Sequence, residues 1–113
     1  MTLSERQQVF ARNVAKLILY MAESNYACTF GEALRTQEMA DLYANQNKGI
    51  KNSLHLKRLA IDLNLFKDGK YLSDTESHRP FGEWWETLDP MNRWGGRFKD
   101  GNHYSMSDDG KNA

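Results

Sequence analysis

"SLHLKRLAIDLNLF", residues 53–66, alternates from Leu59 onward as a half-buried strand does. Leu59, Ile61, Leu63 and Leu65 share one face, and Ala60, Asp62, Asn64 and Phe66 the other. Asp62 is the anomaly: a carboxylate in mid-strand among apolar neighbours, seven residues after a histidine. An unpaired buried charge is costly, so Asp62 requires a cation, a set of hydrogen-bond donors or a metal.

Working outward, "KDG" at 67–69 turns the strand back toward Tyr71 and Leu72 as a hairpin. Ser4 with Gln7 reads as a capping box opening a helix that runs to about Ser24, with Phe10, Val14, Leu17, Ile18 and Met21 on one stripe. "ACTFGEAL" reads as a short strand ending at Leu34. Thr36 is placed to cap a short helix with Met39, Leu42 and Tyr43 facing inward. "ANQNKGIKN" is a polar loop broken at Gly49. "RPFGEWWETL" is a third helix: Pro80 suits its first turn, and Phe81, Trp84, Trp85 and Leu88 recur at helical spacing. "RWGGRFKDGNHYSM" begins glycine-rich and becomes strand-like, and residues 107–113 read as a frayed tail. The expectation is one α+β domain spanning 1–113, a small antiparallel sheet flanked by helices, with the N-terminal helix within 1–25.

The composition suits such a domain: 113 residues, 40% hydrophobic and 27% charged. Fifteen basic and fifteen acidic side chains cancel, so no broad electrostatic case exists for nucleic acid or an anionic membrane. The single Cys28 excludes an internal disulfide and a C-x-x-C zinc cluster, and reads as a small buried hydrophobe. "MTLSERQQ" lacks the apolar core of a signal peptide, and no apolar run is long enough to span a bilayer. A soluble cytoplasmic chain is expected.

Of the three histidines, His78 precedes the expected helix start and has no partner in the local pattern. His55 stands before the Asp62 strand, two residues after Ser53, and His103 opens another strand, three residues after Asp100. Two imidazoles and a carboxylate are the donor set of a catalytic zinc with a fourth position open. The competing reading of Asp62 is a salt bridge to Lys57, Arg58 or Arg97. An H-E-x-x-H helix is absent, and so are the cysteines of a zinc deaminase. Two histidines and a carboxylate also suit a non-haem iron oxygenase, but the chain has too few strands for its usual β-helix. Trp94 beside Gly95 and Gly96 reads either as the wall of a ligand groove with open backbone or as core beside a turn.

"SLHLKRLAID" resembles the S-x-H-x(6)-D motif of the D-alanyl-D-alanine carboxypeptidase and L-alanyl-D-glutamate endopeptidase family, the VanY-like zinc peptidases. "RWGGRFKDGNHY" resembles the second motif of that family, an acidic residue three places before a histidine. The resemblance covers roughly residues 30–106 and is nearest the small single-domain forms of phage endolysins. It implies the hedgehog-like fold of these peptidases, zinc held by His55, Asp62 and His103, and Asp100 as general base toward the attacking water. It further implies that Arg35 meets substrate and the developing oxyanion, and that Ser53 orients His55 or the substrate. Trp94, Gly95 and Gly96 are the expected substrate groove.

Three positions depart from the family pattern. Arg58 replaces a glycine common among relatives, Met39 replaces a glutamine, and the base is aspartate where carboxypeptidase branches often have glutamate. The last favours hydrolysis of the L-alanyl-D-glutamate bond of the peptidoglycan stem peptide. The implied setting is a monomeric phage lysis enzyme, made in the host cytoplasm and released to the wall by a holin. The alternatives are a D,D-carboxypeptidase and a non-catalytic zinc-stabilised binding module.

Overall fold

The computed structural model describes residues 1–46 and 53–108. The Asp62 strand, β2 (Ala60–Lys67), is the spine of the sheet. One of its edges takes β1 (Ala27–Phe30), with Cys28 opposite Leu65. The other edge takes β3 (Lys70–Leu72) at one end and β5 (His103–Met106) at the other, and β4 (Asn92–Trp94) pairs outside β5. Every pairing is antiparallel. The β2–β3 hairpin closes through Asp68 and Gly69, both with positive φ (51° and 78°), which matches the twist of the two strands.

The alternation in the sequence holds: Leu59, Leu63 and Leu65 are fully buried and Ile61 nearly so. Each buried leucine contributes about 1.5–3 kcal/mol, and this row anchors β2 to the core. Helix α1 (Leu3–Glu23) lays Phe10, Val14, Leu17 and Met21 on the core, and Phe10 meets Trp85 edge to face at 5.7 Å. Its cap is Thr2 rather than Ser4: Thr2 Oγ1 accepts the Glu5 amide at 3.2 Å, and Glu5 Oε1 accepts the Thr2 amide at 2.9 Å.

Helix α2 (Gln37–Asn45) is capped by Thr36 as expected, but it turns Ala40 inward and leaves Met39 and Leu42 largely exposed. Ala44 and Asn45 extend this helix, while most of the expected polar loop, including Gly49, lies outside the described residues. Helix α3 (Thr75–Leu88) starts earlier than Pro80 suggests, because Asp74 accepts the Ser77 amide at 3.0 Å and caps it. Pro80 therefore lies inside the helix, where its missing N–H leaves the Glu76 carbonyl without that partner. His78 belongs to this helix and is buried, with Nδ1 2.7 Å from the Tyr104 hydroxyl.

The tail begins later than expected. Ser107 and Asp108 are buried, with the Asp108 carboxylate paired to Arg6 at 2.7 Å and to Lys57. That pairing fastens the start of α1 and the end of β5 to the turn that carries His55.

Candidate metal centre

The register of the sheet builds the first half of the site. Asp62 on β2 lies directly opposite His103 on β5, and Asp62 Oδ1 is 3.1 Å from His103 Nδ1. His55 reaches the same oxygen from outside the sheet, with Nε2 at 3.4 Å. It sits on a short 3-10 turn, Leu54–Lys57, capped by Ser53, whose Oγ accepts the His55 amide at 3.2 Å. Ser53 thus orients His55 through the main chain. The turn ends at Arg58 in the left-handed conformation (φ 55°), the conformation that favours glycine. Gln7 Nε2 donates to the Lys57 carbonyl at 2.8 Å and holds the same turn to α1.

The loop after β1 fixes the His55 ring. Gly31 N–H donates to the Asp62 carbonyl and Asp62 N–H to the Glu32 carbonyl, both at 2.8 Å, so residues 31–32 prolong the pairing beyond β1. The Ala33 carbonyl then accepts from His55 Nδ1 at 3.1 Å, and the Arg35 amide donates to the His55 carbonyl at 3.3 Å. A carbonyl can only accept, so Nδ1 carries a proton, and Nε2 is the nitrogen that faces Asp62: it donates there in the charged ring and offers a lone pair in the neutral one.

The donor atoms of His55, Asp62 and His103 all lie within 4.8 Å of one another. Zinc bonds of about 2.0–2.2 Å in a tetrahedron place neighbouring donors roughly 3.3–3.6 Å apart. The 3.4 Å from His55 to Asp62 falls in that range and the 3.1 Å from His103 lies just below it. His103 Nε2 is buried without a hydrogen-bond partner, which leaves the Nδ1 edge as the ring's polar contact in the site. The donor set therefore fits a metal ion.

The charges agree. Burial works to raise the Asp62 pKa, but hydrogen bonds from His103 and His55 and their charges hold it at about 2. Burial works to lower the His55 pKa, yet the hydrogen bond to Asp62, the Ala33 carbonyl and the Glu32 charge raise it overall. Two of the three cations that could have formed a salt bridge with Asp62 are engaged elsewhere: Lys57 pairs with Asp108, and Arg97 with Glu86 at 2.7 Å.

Asp100 stands at the mouth, half-exposed, with Oδ2 4.0 Å from His103 Nδ1. Its amide donates to the Gly95 carbonyl at 2.9 Å and its carbonyl accepts the His103 amide at 3.1 Å, so the loop is pinned at both ends. Burial and the nearby Asp62 charge raise its pKa, against the lowering effect of His103, His55 and Arg35. Arg35 packs its guanidinium over the Tyr43 ring at 5.1 Å and pairs with Glu32.

Trp94, Gly95 and Gly96 require correction as a substrate groove. Trp94 is wholly buried, with Nε1 donating to the Gly101 carbonyl at 2.7 Å. A Cβ on Gly82 or on Gly96 would overlap its ring, so both positions must be glycine for the indole to seat. A Cβ on Gly95 would overlap the Asp100 carbonyl. These glycines serve close packing, and the aromatic that borders the site is the half-exposed Phe98, 6.1 Å from the His103 ring. The sequence reading also missed Glu32, whose one visible signal is its position three residues before Arg35.

No protein-family model matches the chain, and no curated protein matches it in sequence. Among solved structures it is similar to the crystal structure of the Serratia marcescens L-Ala D-Glu endopeptidase ChiX. In fold the two chains correspond. The TM-score is 0.69 at 16% identity, over 92% of this chain and 85% of ChiX.

Proposed function

We propose that the protein is a zinc-dependent peptidoglycan peptidase that hydrolyses the L-alanyl-D-glutamate bond of the stem peptide. The observation that carries this reading is the His55–Asp62–His103 cluster with Asp100 at its mouth. The fold it shares with an L-Ala D-Glu endopeptidase supports the substrate class and the bond. The motif resemblance supports the finer setting, a phage lysis enzyme that reaches the wall through a holin.

His55 Nε2, Asp62 Oδ1 and His103 Nδ1 would hold the metal, and the Ala33 carbonyl keeps His55 in the tautomer this would require. Zinc bound there would supply Lewis acidity and a water whose pKa is lowered to about 7. Asp100 Oδ2 takes the proton of the attacking water and returns it to the leaving amine. Arg35 brings a positive charge near Asp100 and stabilises the developing oxyanion.

Digestion of purified peptidoglycan, with and without a chelator, tests the reading. New D-glutamate amino termini by mass spectrometry, lost on chelation and restored by zinc, are expected. Release of free D-alanine would move the activity to a D,D-carboxypeptidase. Undigested peptidoglycan at stoichiometric zinc would leave a binding module.

A further inference from the structure

We propose that Glu32 is a positioning residue that ties the histidine ligand to the arginine: one carboxylate oxygen holds the Arg35 guanidinium and sets its negative charge beside the His55 ring. The proposal rests on the peptidase reading and deepens it. Glu32 Oε1 accepts from Arg35 Nε at 2.5 Å, pairs with Arg35 Nη2, and lies 3.7 Å from His55 Nδ1. The three groups belong to two segments, 32–35 and the 3-10 turn Leu54–Lys57, so one charge spans the seam between them.

The geometry divides the labour. His55 Nδ1 donates to the Ala33 carbonyl, and Glu32 adds negative charge behind that edge, opposite the Nε2 that faces Asp62. A carboxylate charge behind a ligand imidazole raises its basicity, while the Ala33 carbonyl fixes the ring's orientation. On the arginine, Glu32 engages the Nε–Nη2 edge while Tyr43 lies under the guanidinium plane. A planar fork held on one edge and one face keeps few rotamers, which leaves the Nη1 end to present. The side chain is 26% exposed, and the main-chain bond from the Asp62 amide to the Glu32 carbonyl involves no side-chain atom. Substitution of the carboxylate therefore leaves the loop attached.

Glu32→Gln keeps the shape and removes the charge. Zinc affinity, measured on the folded protein by competition with a chromophoric chelator, is expected to fall about tenfold, the lower end of the range for outer-shell partners. With zinc saturating, kcat is expected to fall severalfold with KM little changed. Arg35→Ala should then cost less in the Glu32→Gln background than alone. A merely structural glutamate would lower thermal stability while leaving zinc affinity and kcat untouched, and that result overturns the proposal. Unchanged zinc affinity overturns it even where no hydrolysis is detected. Wild-type protein that takes up no zinc overturns the peptidase reading and this proposal together.

Discussion

His55 and His78 are buried to the same degree, at 1% and 2% exposure, yet their surroundings drive the two rings in opposite directions. His55 faces the carboxylate of Asp62 with Glu32 behind it, and its pKa is raised. His78 faces the Tyr104 hydroxyl inside the aromatic core, and burial pushes its pKa down to about 4. The same side chain is poised for a cation in one place and kept neutral in the other. Burial alone does not mark a functional histidine; the charge of its neighbours does. The two regions meet along β5, where His103 turns to Asp62 in the candidate metal centre and Tyr104 to the core.

The largest effect that sharpens this contrast is expected at the mouth of the site. Asp100→Asn keeps the shape of the side chain and removes its proton acceptor. Turnover of peptidoglycan fragments should fall by about a hundred- to ten-thousand-fold, the usual contribution of a general base. Bound zinc, read by elemental analysis, should stay at one per chain, because Asp100 is outside the donor cluster. Loss of zinc in this variant would make Asp100 a ligand, and near-normal turnover would move the base elsewhere.

On the core side the sharpest point is Trp94. Gly96→Ala inserts a methyl group where the indole ring already lies, and Gly82 crowds the same ring just as closely. Overpacking of this kind costs about 1–3 kcal/mol. Thermal unfolding should therefore occur at lower temperature, while zinc affinity of the folded protein is unchanged. The reverse pattern, normal stability with weakened substrate binding, would return Gly96 to the groove.

Much of this division was readable in one dimension. Strand β2 and the α1 stripe followed from periodicity, since each buries one face against the core. His55, Asp62 and His103 stood out because few other roles suit that donor set at a strand. What escaped depends on contacts between distant positions. Trp94 looked like a groove wall because the slot that buries it is closed by Gly82, on a helix whose apolar pattern gives no hint of it. Asp108 looked like tail because its partners, Arg6 and Lys57, lie at the other end of the chain and in the His55 turn. Strand β4, three residues long, carries no alternation to detect. Glu32 carried only the faint signal of its spacing to Arg35, because its other neighbour, His55, lies on a turn some twenty residues later.

The smallest expected effect separates the two histidines by pH in the zinc-free protein. For His78 the folded pKa, about 4, lies below the ordinary value of 6.5. As pH falls from 6.5 toward 4 the unfolded chain binds the proton first, so the contribution of His78 is complete above 6.5 and is lost on descent through that window. Asp74, at the cap of α3, opposes this weakly by favouring the charged ring, and Tyr104 supplies only a hydroxyl. His55 has the opposite sign. Its pKa is raised, so its contribution is complete below 6.5 and is lost as pH rises through the folded value. His78→Asn retains a polar group near the Tyr104 hydroxyl and removes the titration. Melting temperatures of wild type and His78→Asn, measured between pH 4 and 7, should converge as pH falls, because only the wild type loses the His78 contribution. Parallel curves would show that His78 is as easily protonated in the core as in the unfolded chain, and the contrast with His55 would collapse.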